Sequence, residues 1–225
     1  MTALHHPRTS MPADDENILI ALFGGNGSGK TTVERTALRL PGIDAAVYQK
    51  ATTRPPVPGR VPDATESFYV EPDEFTRRKR DPRFWTFSVL DDEWGVDIDD
   101  LQRLCEQHRF TFLTAANPGF VRRLERELRR VRVLRLLVYA DQSTRFERIA
   151  KDKQTVESPE YRRAMTPRLL ARYRRAPLVY DHVLLNIFDQ ATFERHIKAL
   201  LRHYNKPVRQ ASVQQPERRN QECFA

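Results

Sequence analysis

The chain has 225 residues, 40% hydrophobic composition and a formal net charge of +8, from 38 Lys+Arg against 30 Asp+Glu. That length carries one α/β domain with a proper core and little more, and a basic, arginine-dominated balance suits polyanions such as nucleotides. Cys105 and Cys223 form neither a disulfide framework nor a metal spacing, and no apolar run is long enough to span a bilayer.

Residues 1–16 read as a polar, disordered leader without the apolar centre of a signal peptide, so a cytoplasmic protein is expected. His5-His6 has no further ligand nearby and reads as tail. The C-terminal Glu222-Cys223-Phe224-Ala225 is not a prenylation box, because its cysteine is third from the end. Ile18–Phe23 is a continuous apolar run closed by Gly24-Gly25, the pattern of a buried strand. Lys30–Leu40 predicts a helix stopped by Pro41-Gly42, and Ala45–Tyr48 a second strand. Thr52–Glu66, rich in Pro, Arg and Gly, reads as a loop. Ser67–Val70 predicts a short strand, Pro72–Lys79 a helix with proline at its first position, and Phe84–Leu90 with Trp94–Val96 a strand pair. From there helices alternate with strands. Ile98–His108, Phe120–Arg130, Thr144–Lys153, Met165–Arg175 and Ala191–Tyr204 are the helices; Phe110–Leu113, Val133–Tyr139 and His182–Leu185 are the strands. Such alternation implies a parallel sheet covered on both faces, with Ser67–Val96 as a mixed insertion. Residues 206–225 carry little apolar content and read as a disordered tail.

Gly24-Gly25-Asn26-Gly27-Ser28-Gly29-Lys30-Thr31 fits the phosphate-loop pattern G-x-x-x-x-G-K-[ST], with a strand before it and a helix after it. Glycines let consecutive backbone N–H groups turn inward around a phosphate, and the helix N-terminus adds partial positive charge. Lys30 then reaches the terminal phosphates, the Thr31 hydroxyl ligates Mg²⁺, and Thr32 supports the α-phosphate side. A chance Gly-rich turn would not put four glycines, Lys30 and Thr31 in this register. The loop predicts binding of ATP or GTP with Mg²⁺.

Thr52-Thr53-Arg54-Pro55-Pro56-Val57-Pro58-Gly59-Arg60 follows the second strand, and its prolines stiffen a loop that holds Arg54 ready for an anion. Together with the phosphate loop, this stretch resembles guanylate kinase, whose corresponding motif is T-T-R-x-x-R-x-G-E. Ser67–Phe75 is similar to the family's Y-x-F-V-s-x-e-E-F stretch, Glu93-Trp94-Gly95 to its N-Y-Y-G, and Tyr180–Asn186 to its Y-D-Y-V-I-x-N. The resemblance covers most of Ile18–Tyr204. It implies a P-loop NTPase fold, a three-layer parallel α/β sheet within residues 17–205, with a mixed nucleoside-monophosphate-binding insertion at about 50–97 and a lid at about 151–164. By position it makes Arg54 the first phosphate-binding arginine. It sets Arg148 and Arg168 beside the lid, where they neutralise the transferred phosphoryl or, as an alternative, belong to a solvated helix face.

The departures fall on the acceptor side. The family's second phosphate arginine aligns with Val57, with Arg60 three residues on. Its tyrosine aligns with Ser67, with Tyr69 close by. Its guanine-reading acids align with Thr86 and, in Thr114-Ala115-Ala116-Asn117-Pro118-Gly119, with Ala116. Guanine presents N–H donors that need acceptors, and leaving them unpaired costs a few kcal/mol. Asp91-Asp92-Glu93 either replaces those acceptors or is an acidic turn; Trp94 either stacks on a base or packs in the insertion. The resemblance implies an ATP-dependent kinase of a nucleoside monophosphate or a related small phosphorylated acceptor. One alternative is a kinase of a ribose bisphosphate, and another a non-catalytic nucleotide- or phosphopeptide-binding module, against which the complete loop argues. Nucleic acid is not an expected partner, since acids are interspersed among the arginines and no aromatic platform is visible. A monomer and a homodimer both stay open.

Overall fold

In the computed structural model the described residues are 16–55, 67–89, 92–115, 117–151 and 180–205, with residues 160, 162–164, 167 and 171. Five parallel strands form one sheet: β1 (Asn17–Phe23), β2 (Ala45–Val47), β7 (Phe110–Thr114), β8 (Val131–Tyr139) and β9 (His182–Leu185), in the order β2-β7-β1-β8-β9. Strand β1 is central and buried from Ile18 to Phe23, which is why it reads as an unbroken apolar run. Its alternate side chains leave on opposite faces. Ile18, Ile20 and Leu22 pack with Phe110, Phe112, Leu134 and Leu136 beneath α1 (Lys30–Arg39) and α6 (Gln190–Tyr204), which contribute Val33, Ala37, Phe193, Ile197 and Leu201. On the other face Leu19 meets Leu113 and the residues Leu101, Cys105 and Leu124 of α3 (Ile98–Gln107) and α4 (Pro118–Glu127). Each fully buried Leu, Ile or Phe of these layers contributes about 1.5–3 kcal/mol relative to exposure.

The helix starts follow local chemistry. The Asp97 carboxylate accepts from the Asp99 and Asp100 amides at α3, the Asn117 side chain from Gly119 at α4, and Asp189 from Thr192 at α6. The Asp141 carboxylate accepts from the Ser143 hydroxyl and from the Thr144 hydroxyl and amide before α5 (Gln142–Lys151), and these bonds hold it well below the usual range. Arg130, at φ 53°, turns the chain from α4 into β8.

A second sheet lies between β2 and α3: β3 (Ala51–Thr52), β4 (Phe68–Tyr69), β5 (Phe84–Val89) and β6 (Asp92–Asp97), in the order β4-β3-β6-β5. Here β3 runs parallel to β4 and antiparallel to β6, and β5 antiparallel to β6. With α2 (Pro72–Arg78) it encloses Ala51, Val70, Phe75 and Phe84, the two rings edge-on at 5.5 Å. A Cβ on Gly95 would come within 2.1 Å of the Phe84 ring, so that ring requires glycine there. The chain crosses between the sheets twice, at residues 48–50 and at Asp97–Ile98. The Tyr48 hydroxyl joins the crossings, donating to the Asp97 carbonyl at 3.2 Å and accepting from the Asp97 amide at 2.9 Å.

Strand β3 departs from the sequence expectation of a loop beginning at Thr52: two residues are too few to show a period, and the pairing partners β4 and β6 are remote in sequence. Helix α4 begins at Pro118, two residues before the expected Phe120, and ends at Glu127; β8 begins at Val131. The expected leader, tail, most of the lid and most of Met165–Arg175 lie outside the described residues. Among those described, no helix is long and apolar enough to cross a membrane.

Candidate functional site

The loop Gly24–Gly29 joins β1 to α1 at the C-terminal edge of the parallel sheet, where buried strands deliver the chain to a helix N-terminus. Gly24, Gly27 and Gly29 have φ of 148°, 74° and 104°. At Gly29 the requirement is double: a Cβ there would lie 2.3 Å from Asn186 Nδ2. Asn186, 4% exposed at the end of β9, donates to the Ser28 carbonyl at 2.8 Å and so fixes the loop to the far edge of the sheet. Ser28 is itself 1% exposed, and its hydroxyl is buried without a hydrogen-bond partner. Gly25 is buried, Asn26 and Thr32 half-buried, and Thr31 exposed.

Lys30 opens α1 and folds back over the loop, donating to the Gly24 and Gly25 carbonyls at 2.9 and 3.1 Å. Burial pulls its pKa from 10.5 to about 8; Glu34 opposes the shift, and Arg162 and Arg145 add to it. Arg145, 7% exposed on α5, donates through Nε to the Ala140 carbonyl at 3.1 Å, and its Nη1 is buried without a partner. Arg148, one turn on, donates to the Gly27 carbonyl at 3.4 Å and to Asn186 Oδ1 at 3.2 Å. The loop is thus ringed by Lys30, Arg145, Arg148 and Arg162. A cradle of left-handed glycines, an orphaned buried hydroxyl and this cationic ring fit a polyphosphate.

Across from the loop, the Glu34 carboxylate on α1 is 2% exposed and accepts from the Thr114 hydroxyl at 2.8 Å. Lys50 donates to the Thr114 carbonyl at 2.7 Å and lies 5.0 Å from the Trp94 ring centroid. Sequence reasoning passed over Glu34, Lys50 and Asn186 as site residues. The available signal was that Glu34 stands one helical turn beyond Lys30, on the same face.

A crystal structure of guanylate kinase from Anaplasma phagocytophilum superposes with a TM-score of 0.55 at 15% identity, covering 88% of this chain and 92% of that one. The chain has the guanylate kinase fold. No protein-family model and no curated protein sequence matches it.

Within the guanylate kinase fold the residues expected on the acceptor side divide. Arg54 follows β3, its amide donating to the Thr52 hydroxyl at 3.1 Å, and Trp94 on β6 is half-buried beside Lys50. Tyr69 and Thr86 are exposed; the Tyr69 hydroxyl donates to the Glu71 carboxylate at 3.1 Å, and Thr86 sits opposite Gly95 on the outer strand β5. Arg60, Arg168 and Ala116 lie outside the described residues. Of the acidic stretch, Glu93 pairs with Lys79 at the end of α2, and Asp91 lies outside the described residues. No group of three or more His, Cys, Asp or Glu that could hold a metal ion occurs among the described residues.

Proposed function

We propose that this chain is an ATP-dependent phosphotransferase that moves the γ-phosphoryl group of ATP onto a small phosphorylated acceptor, a nucleoside monophosphate or a related molecule. The observation that carries this reading is the phosphate loop itself: three left-handed glycines, the Lys30 ammonium inside the turn, and arginines around it, on the guanylate kinase fold. The amides of Gly25–Thr32 bind the β-phosphate, and Lys30 spans the β- and γ-oxygens. Arg148 sits within hydrogen-bond reach of the Gly27 carbonyl, beside the phosphate that is transferred, and neutralises charge as it leaves ADP. Arg54, and by position Arg60 and Arg168, hold acceptor and donor phosphates. Thr31, exposed at the start of α1, is the residue that would hold Mg²⁺, and the ion would supply neutralisation of phosphate charge there. Positioning and electrostatics suffice for this chemistry, and no general base is required of the chain. The segments at about 50–97 and 151–164 serve as acceptor-binding insertion and lid.

The test is a coupled ADP-release assay with ATP·Mg²⁺ over a panel of small phosphorylated acceptors. Turnover with at least one acceptor is expected. Lys30→Ala should lower kcat roughly 10³-fold, as the removal of a preorganised charge does elsewhere. A pure protein that binds ATP saturably and releases no ADP with any acceptor would refute the transferase reading; one that binds no ATP would refute the phosphate site too.

A further inference from the structure

Lys50 stands on the first crossing between the two sheets, and its ammonium reaches back to the end of β7, where it donates to the Thr114 carbonyl at 2.7 Å. Burial pulls its pKa down to about 8, Lys30 contributes to that shift, and Glu34 opposes it. Lys50 and Lys30 thus both face the one buried carboxylate of Glu34, Lys30 from the phosphate loop and Lys50 from the acceptor side. Beside Lys50 stands Trp94, whose indole N–H is buried without a hydrogen-bond partner. An orphaned buried donor is rare enough to require a reason. The acidic side chains of the neighbourhood are already engaged: Glu34 by the Thr114 hydroxyl, Glu93 by Lys79, and Asp97 by the amides that start α3. Thr86, on the outer strand β5, is exposed and has no charge to offer.

Among the described residues this corner is rich in donors, and each of its carboxylates already accepts from a partner. A purine with ring N–H and amino groups would find no partner for them. An oxyanion would meet the Lys50 ammonium and the Trp94 indole N–H. We infer that Lys50 and Trp94 form an anion-reading corner of the acceptor site, and that the acceptor is a small molecule with a second anionic oxygen group, phosphate or carboxylate, remote from the oxygen that receives the phosphoryl. This rests on the phosphotransferase reading above. Lys50 is a specificity-determining residue in it, and Trp94 supplies the second donor. Glu34 positions Lys50 through Thr114, whose hydroxyl donates to Glu34 and whose carbonyl accepts from Lys50.

The experiment uses the full-length chain with ATP·Mg²⁺ and five acceptors. GMP and AMP carry one phosphate and a base, ribose phosphate carries one phosphate alone, and ribose bisphosphate and phosphoglycerate carry two anionic groups. Turnover with one of the last two is expected at a kcat/KM roughly 100-fold above GMP. Better use of ribose bisphosphate than of phosphoglycerate identifies phosphate as the second group, and the reverse identifies carboxylate. Lys50→Met should raise KM for that acceptor about tenfold or more with kcat within about threefold, and Lys50→Arg should restore most of the loss. GMP as the best acceptor, or a Lys50→Met variant that lowers kcat alike for every acceptor, overturns the inference and leaves the transferase reading standing. If no acceptor supports ADP release, the fluorescence of Trp94, identified by its loss in Trp94→Phe, decides the matter alone. Saturable quenching by ribose bisphosphate or phosphoglycerate, abolished in Lys50→Met, upholds the anion corner, and no quenching by either overturns it. Thermal unfolding of each variant separates lost binding from lost folding.

Discussion

Lys30 reaches the surface only in part, and its ammonium lies against two carbonyl oxygens with its pKa near 8 instead of 10.5. A polyphosphate on the loop favours the charged lysine, so its binding pulls the pKa back up. At roughly pH 9, ATP should therefore bind with uptake of close to one proton, and its Kd should rise as pH climbs above about 8. Titration calorimetry in two buffers of different ionisation enthalpy reads that proton directly, and no uptake would mean that Lys30 does not touch the phosphates. Stability moves the other way. Lys30 and Lys50 both have folded pKa values of about 8 against 10.5, so between those limits the unfolded chain binds more protons. The ligand-free protein should gain stability as pH rises through that window, which urea titrations at several pH values would show. At this scale the sequence was informative where chemistry is local. Lys30 announces itself within its glycines, whereas the association of Glu34 with Thr114, 80 positions apart, exists only through the sheet.

Helices and strands were legible in proportion to their length and burial. The run Ile18–Phe23 is apolar throughout because β1 is covered on both faces, and His182–Leu185 shows its whole extent. Strand β3 was invisible because its two residues become a strand only when β4 and β6 are laid beside them. The loop between β1 and α1 is the element with least room for change. Gly29→Ala would have to adopt φ 104° with its new methyl against Asn186 Nδ2. It should cost about 2–3 kcal/mol and weaken ATP binding, since relief requires moving Asn186 off the Ser28 carbonyl. By contrast, Asp97→Ala removes the carboxylate that accepts from Asp99 and Asp100, should cost about 1 kcal/mol, and should leave ATP affinity unaltered. Urea denaturation and an ATP titration on both variants check the pair.

At the scale of the whole molecule, a ligand held by loop, sheet edge and arginines together should report as global stability. ATP·Mg²⁺ at about 100 times its Kd should stabilise the fold by about 2.7 kcal/mol, a rise in melting temperature of a few degrees that Lys30→Ala abolishes. The order of motifs along the chain made the architecture legible even though only 15% of residues agree with the superposed guanylate kinase. The neighbourhood of Lys50, Glu34 and Trp94 was not legible, because it forms where two sheets meet and not within any one stretch. The same meeting place has a mechanical meaning. Two short stretches of chain join the second sheet to the first, Trp85 and Val96 pack it against Leu19 and Leu113, and the Tyr48 phenol pins one stretch to the other through the backbone N–H and carbonyl of Asp97. Tyr48→Phe would withdraw the pin while keeping the ring, and would leave apolar packing alone to hold the two stretches together.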